Sequence, residues 1–244
     1  LTLIEHLEEL RRRLFIAMGA WVVASGVAFV YRFTILDWLK APLPANMTLN
    51  FFNVLEPFTV SMQIASFFGL VLSAPVLIGQ VWGFVAPGLY PEERRYAVPF
   101  VLFAALAFAA GAAFAYYVVL PFTIPFLLGF LGGEAVGLLS IGRYISTILM
   151  LMGMFGLMFE MPVLGFLLAR MGILTHRRLV SSRRWAIVGG TTLAIVITPT
   201  GDPFNLALVA VPLLVLYEVT VLVVRISERR IGDAREHTEP SSSY

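Results

Sequence analysis

The sequence predicts an all-α integral membrane protein of six transmembrane helices, with both chain ends on one side of the bilayer. Composition is the first reason. Of 244 residues, 59% are hydrophobic and 13% charged, with a mean hydropathy of +0.87, whereas about a quarter of the residues of soluble domains are charged. The second reason is how the charges are spaced. Uncharged runs cover 14–31, 57–91, 96–133, 144–159, 185–201 and 203–217, and about 20 apolar residues cross a hydrocarbon layer about 30 Å thick. The third is an asymmetry: 14 of the 17 Lys and Arg residues fall on one side of the resulting topology, which the positive-inside rule makes cytoplasmic.

The opening LTLIEHLEELRRRLF spaces Leu3, Leu7, Leu10 and Leu14 as one helical face, and Thr2 with Glu5 matches a capping box. An amphipathic helix on the membrane surface is expected there, feeding a retained first span at 14–31 that lacks a signal-peptide cleavage pattern. Further spans are expected at 60–85, 97–120 and 144–169, between charged or Pro/Gly-rich turns. Pro121 and Pro125 should break any continuation of the third. The last two candidates, 185–198 ended by Pro199 and 206–224 carrying Glu218, are short, so local membrane thinning or another helix has to absorb the mismatch. Residues 1–230 read as a single membrane domain, and 231–244 as a polar, disordered tail.

The cytoplasmic basic residues lie in the first helix, the 86–96 loop, the 170–184 loop and the tail, while the outer face carries only Arg32, Lys40 and Arg143. Trp38, Tyr116, Tyr117 and Tyr144 fall near span ends, as interface-seeking aromatics do. The outer connections 33–59 and 121–133 are apolar for loops and are expected to pack as a cap. No internal repeat supports an inverted-repeat transporter. The chain has no cysteine, and the basic balance follows membrane topology, implying no nucleic acid.

No HExxH, GxSxG or GxxxxGK[ST] motif occurs, and the three histidines are scattered, so no catalytic residue, metal ligand or cofactor site is expected. Glu160 is the sharpest signal, because it interrupts an uncharged span where a buried carboxylate is costly. Pro162, two residues on, should kink the helix beside it. Glu160 is either a hydrogen-bonded structural residue or the lining of a functional polar cavity. Glu218, seven residues before Arg225, fits an interfacial structural role. Glu5, Glu8 and Glu9, with Glu92 and Glu93, make two acidic patches on the basic face. They either grip the guanidinium groups of a ligand or pair internally, Glu8 with Arg12 and Glu9 with Arg13 at i,i+4, and Glu92 or Glu93 with Arg94 or Arg95.

Several blocks carry a resemblance: HLEELRRRL at 6–14, APL at 41–43, SAPVLIGQVWGFVAPGLYPEERR at 73–95, FAYYVVLPF at 114–122, FEMPV at 159–163, and Thr198, Pro199, Asp202 and Phe204. Across about residues 3–230 the chain resembles the TatC family, the multispanning receptor component of the twin-arginine protein translocase. The resemblance implies a concave, glove-like six-helix arrangement, no catalysis, and recognition of folded cargo through a signal peptide carrying consecutive arginines. Glu9 and Glu93 then look like the signal-arginine contacts, with Arg11, Phe84, Arg94 and Arg95 on the same surface. Glu160 is similar to the family's glutamate facing the concave side, and Pro42 and Asp202 match outer-face positions needed for transport. The same resemblance implies TatA and TatB as single-span partners docking near the short last spans, around Thr198, Asn205 and Leu206. Family members often carry glutamine where Leu206 stands. It further implies self-association in the receptor complex, a bacterial inner-membrane location and proton-motive-force-driven export. The rival expectation is a small proton- or ion-coupled transporter using Glu160.

Overall fold

In the computed structural model, residues 3–44, 47–85, 97–129, 139–197 and 202–236 are described, and nearly all of them are helical. Among the described residues, five stretches are long and apolar enough to cross a membrane: Glu5–Val30, Glu56–Phe84, Val98–Phe126, Ile141–Arg170 and Pro203–Glu228. The chain packs as two compact units, Leu1–Leu157 and Met158–Tyr244, where the sequence reading expected one domain. The boundary falls beside the helix break that Pro162 imposes.

In the first unit, α1 (Leu3–Val30) is one continuous helix of 28 residues. This corrects the expected surface helix ahead of the first span. No Gly or Pro lies between Leu3 and Met18, so nothing interrupts the hydrogen-bond ladder and residues 3–13 continue the axis of the span. Helix α1 packs along α3 (Glu56–Val85). The two backbones approach at Gly69, where a Cβ would lie 2.6 Å from the Ser25 Cα. Close by, Trp21 Nε1–H donates to the Ser66 carbonyl at 2.9 Å.

The short α2 (Arg32–Leu39) is fastened by its C-terminal carbonyls, which a helix end leaves without intrahelical partners. The Tyr116 hydroxyl donates to the Trp38 carbonyl, and the Tyr144 hydroxyl to the Leu39 carbonyl at 3.2 Å. The Tyr116 ring also stacks on Trp38 with centroids 3.8 Å apart, and Leu39 is fully buried. Aromatics expected at the interface therefore also serve as an internal lock.

Beyond α2, the connections join as a cap. Strands β1 (Leu49–Asn50) and β2 (Leu139–Ser140) pair in parallel, Leu49 opposite Leu139. Glu56, the first residue of α3, clamps them. Its Oε1 accepts from the Ser140 hydroxyl and from Gly142 N–H at 2.7 Å, and its Oε2 from Phe52 N–H at 2.7 Å.

Helix α4 (Ala97–Phe114) runs through a π turn at Ala115–Val119 into α5 (Leu120–Gly129). This corrects the expected break at Pro121. A π turn widens the ladder and leaves a carbonyl without its usual partner, and a proline in the first turn of the following helix has no donor to miss. Pro125 lies inside α5.

The expected span at 144–169 is divided where the kink was expected: Glu160 sits between α6 (Ile141–Phe159) and α7 (Met161–Arg170), with Pro162 in the first turn of α7. In the second unit follow α8 (His176–Ser181), α9 (Arg183–Ile197) and α10 (Pro203–Glu236). At 15 residues, α9 is about 22 Å long, short as the sequence anticipates. The shortness expected of the last span is corrected, because α10 has 34 residues. Glu218 does not end it, since its Oε2 reaches outward to Arg183 Nη2 at 2.7 Å. Its helical run to Glu236 also takes in the start of the segment expected to be a disordered tail. Gly165 of α7 lies against Thr220 of α10, and Gly190 of α9 against Leu213 of α10, so α10 is the spine of this unit.

Candidate functional site

The helical stripe His6, Glu9 and Arg13 turns toward α3, while Glu8, Arg11 and Arg12 are exposed. These positions recur every three to four residues, which puts them on one face of α1. The His6 ring stacks on Phe84 with centroids 4.4 Å apart at 25°. Arg13 bonds Glu9 Oε1 twice, from Nη2 at 2.6 Å and from Nε at 3.0 Å. The two side chains are only about a quarter exposed, 25% and 27%. The guanidinium lies over Gly83, where a Cβ would come 2.7 Å from its Cζ. Of the two i,i+4 pairs expected within α1, Glu9 with Arg13 forms; Glu8 and Arg12 share no ion pair among the described residues.

The structure thus puts Glu9 on the same stripe as His6, whose ring stacks on Phe84, while Arg11, two residues from Glu9, is exposed on another face of α1. Glu93, Arg94 and Arg95 lie outside the described residues, as does Thr198. Sequence reading missed His6 and Gly83 as members of this surface. The i,i+3 spacing of His6 from Glu9 was a usable signal; Gly83 had none, because its partner comes from another helix.

The remaining residues lie on other elements. Glu160 is half-buried at the α6–α7 joint, and its carbonyl accepts Leu164 N–H at 2.8 Å. Pro42 lies in the turn closed by Leu43 N–H to the Lys40 carbonyl at 2.9 Å. Asp202 caps α10: Oδ1 accepts Asn205 N–H and Oδ2 accepts Asn205 Nδ2–H, both at 2.8 Å. Asn205 is only 1% exposed, so its side chain faces inward, while Leu206 beside it is half-buried. Among the described residues, no three His, Asp or Glu side chains gather to hold a metal ion.

Long apolar helices, a half-buried ion pair at one end and a hydrogen-bonded cap elsewhere define a polytopic membrane protein. A family model described as Sec-independent protein translocase protein (TatC) matches residues 5–212. The Sec-independent protein translocase protein TatC of Deinococcus radiodurans is 40% identical, covering 98% of this chain and 92% of that protein. The corresponding protein of Aquifex aeolicus is 36% identical, over 93% of this chain and 96% of its own length. A crystal structure of the twin arginine translocase receptor TatC superposes with a TM-score of 0.81 at 36% identity, covering 91% of this chain and 99% of that one. The chain belongs to the TatC family of Sec-independent protein translocase components, a family of translocase receptors and not of enzymes. It is a multispanning membrane protein of such a translocase, and the rival transporter reading of Glu160 finds no support in these relatives.

Proposed function

We propose that this chain is the signal-peptide receptor of its translocase, with Glu9 and Glu93 accepting the paired arginines of a cargo signal. Arg11, Phe84, Arg94 and Arg95 complete the surface. One observation carries the reading: Glu9 is a half-buried carboxylate already binding a guanidinium, on the same helix stripe as His6, which stacks on Phe84. A carboxylate so placed has the chemistry for a charge-assisted, two-pronged contact. The apolar stretch of the signal then runs toward Glu160. The receptor works with TatA and TatB, which dock near Thr198, Asn205 and Leu206, and with further copies of itself. Export of folded cargo draws on the proton-motive force across the bacterial inner membrane, with both chain ends cytoplasmic.

The test is binding of a fluorescent twin-arginine signal peptide to the detergent-solubilised protein, beside a twin-lysine version. Lysine keeps the charge and loses the planar fork. Each charge-assisted bond contributes about 1.5–3 kcal/mol, so Glu9→Ala and Glu93→Ala should each weaken arginine binding about tenfold or more. Wild-type affinity in both variants would remove Glu9 and Glu93 from the site.

A further inference from the structure

We infer that Arg13 is an internal occupant of the signal-arginine site, and that an incoming arginine has to displace it from Glu9. The inference rests on the receptor reading of Glu9 given above and adds a residue that sets how strong and how specific recognition is.

The geometry of the pair carries the argument. Both Arg13 bonds converge on Oε1, and among the described residues none reaches Oε2. A guanidinium that grips a carboxylate with two parallel bonds uses both oxygens. While Arg13 holds Oε1, a newcomer finds one oxygen of a carboxylate whose charge is already matched. That single contact is as accessible to a lysine ammonium as to an arginine. Two-pronged recognition therefore requires Arg13 to let go, and only a ligand with a second prong regains what the release costs. The pair acts as a threshold that an arginine can cross.

Gly83 makes the latch possible. The Arg13 guanidinium occupies the space that a side chain at 83 would fill, with Cζ 2.7 Å and Nη2 3.0 Å from the position of a Cβ. The colliding atoms are the far end of a flexible side chain, so the collision is relieved by moving Arg13 without disturbing the α1 or α3 backbone. Arg12 provides a control of equal charge: it is one residue away and exposed.

The experiment measures twin-arginine and twin-lysine peptide affinity for the detergent-solubilised full chain and for Arg13→Gln, Gly83→Ala and Arg12→Gln. Arg13→Gln frees Glu9 and should bind the twin-arginine peptide several-fold to about tenfold more tightly, the scale of one charge-assisted bond. Gly83→Ala keeps every charge, pushes the guanidinium aside and should tighten binding in the same direction, which guards against a folding defect peculiar to the first variant. Arg12→Gln should match wild type. Arginine-selective wild-type binding with no gain in either Arg13→Gln or Gly83→Ala overturns the latch and leaves the receptor reading intact. A gain shared equally by Arg12→Gln reduces the effect to general charge and also overturns it. Wild-type binding that does not distinguish arginine from lysine removes the receptor reading itself, and the latch with it.

Discussion

Asp202 does two jobs with one carboxylate at the first turn of α10. It accepts a backbone N–H that the helix start leaves unpaired, and it accepts a side-chain amide N–H of Asn205, which is 1% exposed. Replacing it by Ala removes the cap and strands a buried amide, so Asp202→Ala should cost about 1–2 kcal/mol. Asp202→Asn keeps one acceptor and should cost less than half of that. Thermal unfolding of the two variants in detergent measures the difference, and midpoints equal to wild type would show that the cap contributes nothing. The residue was legible for a local reason as well: Asp followed by Pro reads as a helix start, although the span was expected to begin at 206. The Glu9–Arg13 pair was equally legible from its i,i+4 spacing. The His6–Phe84 stack and the room at Gly83 were not, because each depends on how α1 is rotated against α3, which no local pattern records.

At the level of elements, close helix packing depends on glycines at crossing points. At Gly69 a Cβ would meet the Ser25 backbone, with N and Cα both at 2.6 Å, and neither atom can rotate out of the way. Overpacking of this kind typically costs about 1–3 kcal/mol. Gly69→Ala should therefore lower the unfolding midpoint, while Gly79→Ala, whose Cβ would find only Val101 at an ordinary 3.9 Å, should not. Equal midpoints for the two variants would show that the α1–α3 crossing relaxes without cost. The helices themselves were largely legible, because apolar length is a strong signal and the chain shows little else. Two of the three misplacements have causes beyond the local chain. The π turn at Ala115–Val119 carried the helix past Pro121, and a widened turn has no sequence signature. Glu218 was read as shortening the last span, although its partner Arg183 lies on α9.

At the scale of the whole molecule, the number of crossings depends on α9. Fifteen residues make about 22 Å of helix against a hydrocarbon layer of about 30 Å. The contacts of the second unit nevertheless require a complete hairpin. His176 N–H donates to Glu228 Oε1 at 2.9 Å and Tyr217 Oη–H to the Leu179 carbonyl at 2.7 Å. These bonds tie α8, where the chain leaves α7, to the middle and C-terminal part of α10. The arginines around 170–184 and around 225–230 therefore lie on one side of this unit. If both α9 and α10 cross, the chain returns to the side it left. If α9 did not cross, α10 would carry Glu228 away from His176 and break the bond. A crossing α9 needs a thinned bilayer or polar ends drawn toward the headgroups. The chain has no cysteine, so single cysteines report on sidedness without background. Glu8→Cys, Arg178→Cys and Arg225→Cys should react with a membrane-impermeant maleimide only in inverted vesicles. Val54→Cys, at a position 91% exposed between β1 and α3, should react only from outside intact spheroplasts. Arg225→Cys labelled from the side opposite Arg178→Cys would mean that α9 does not cross and would refute the six-span topology.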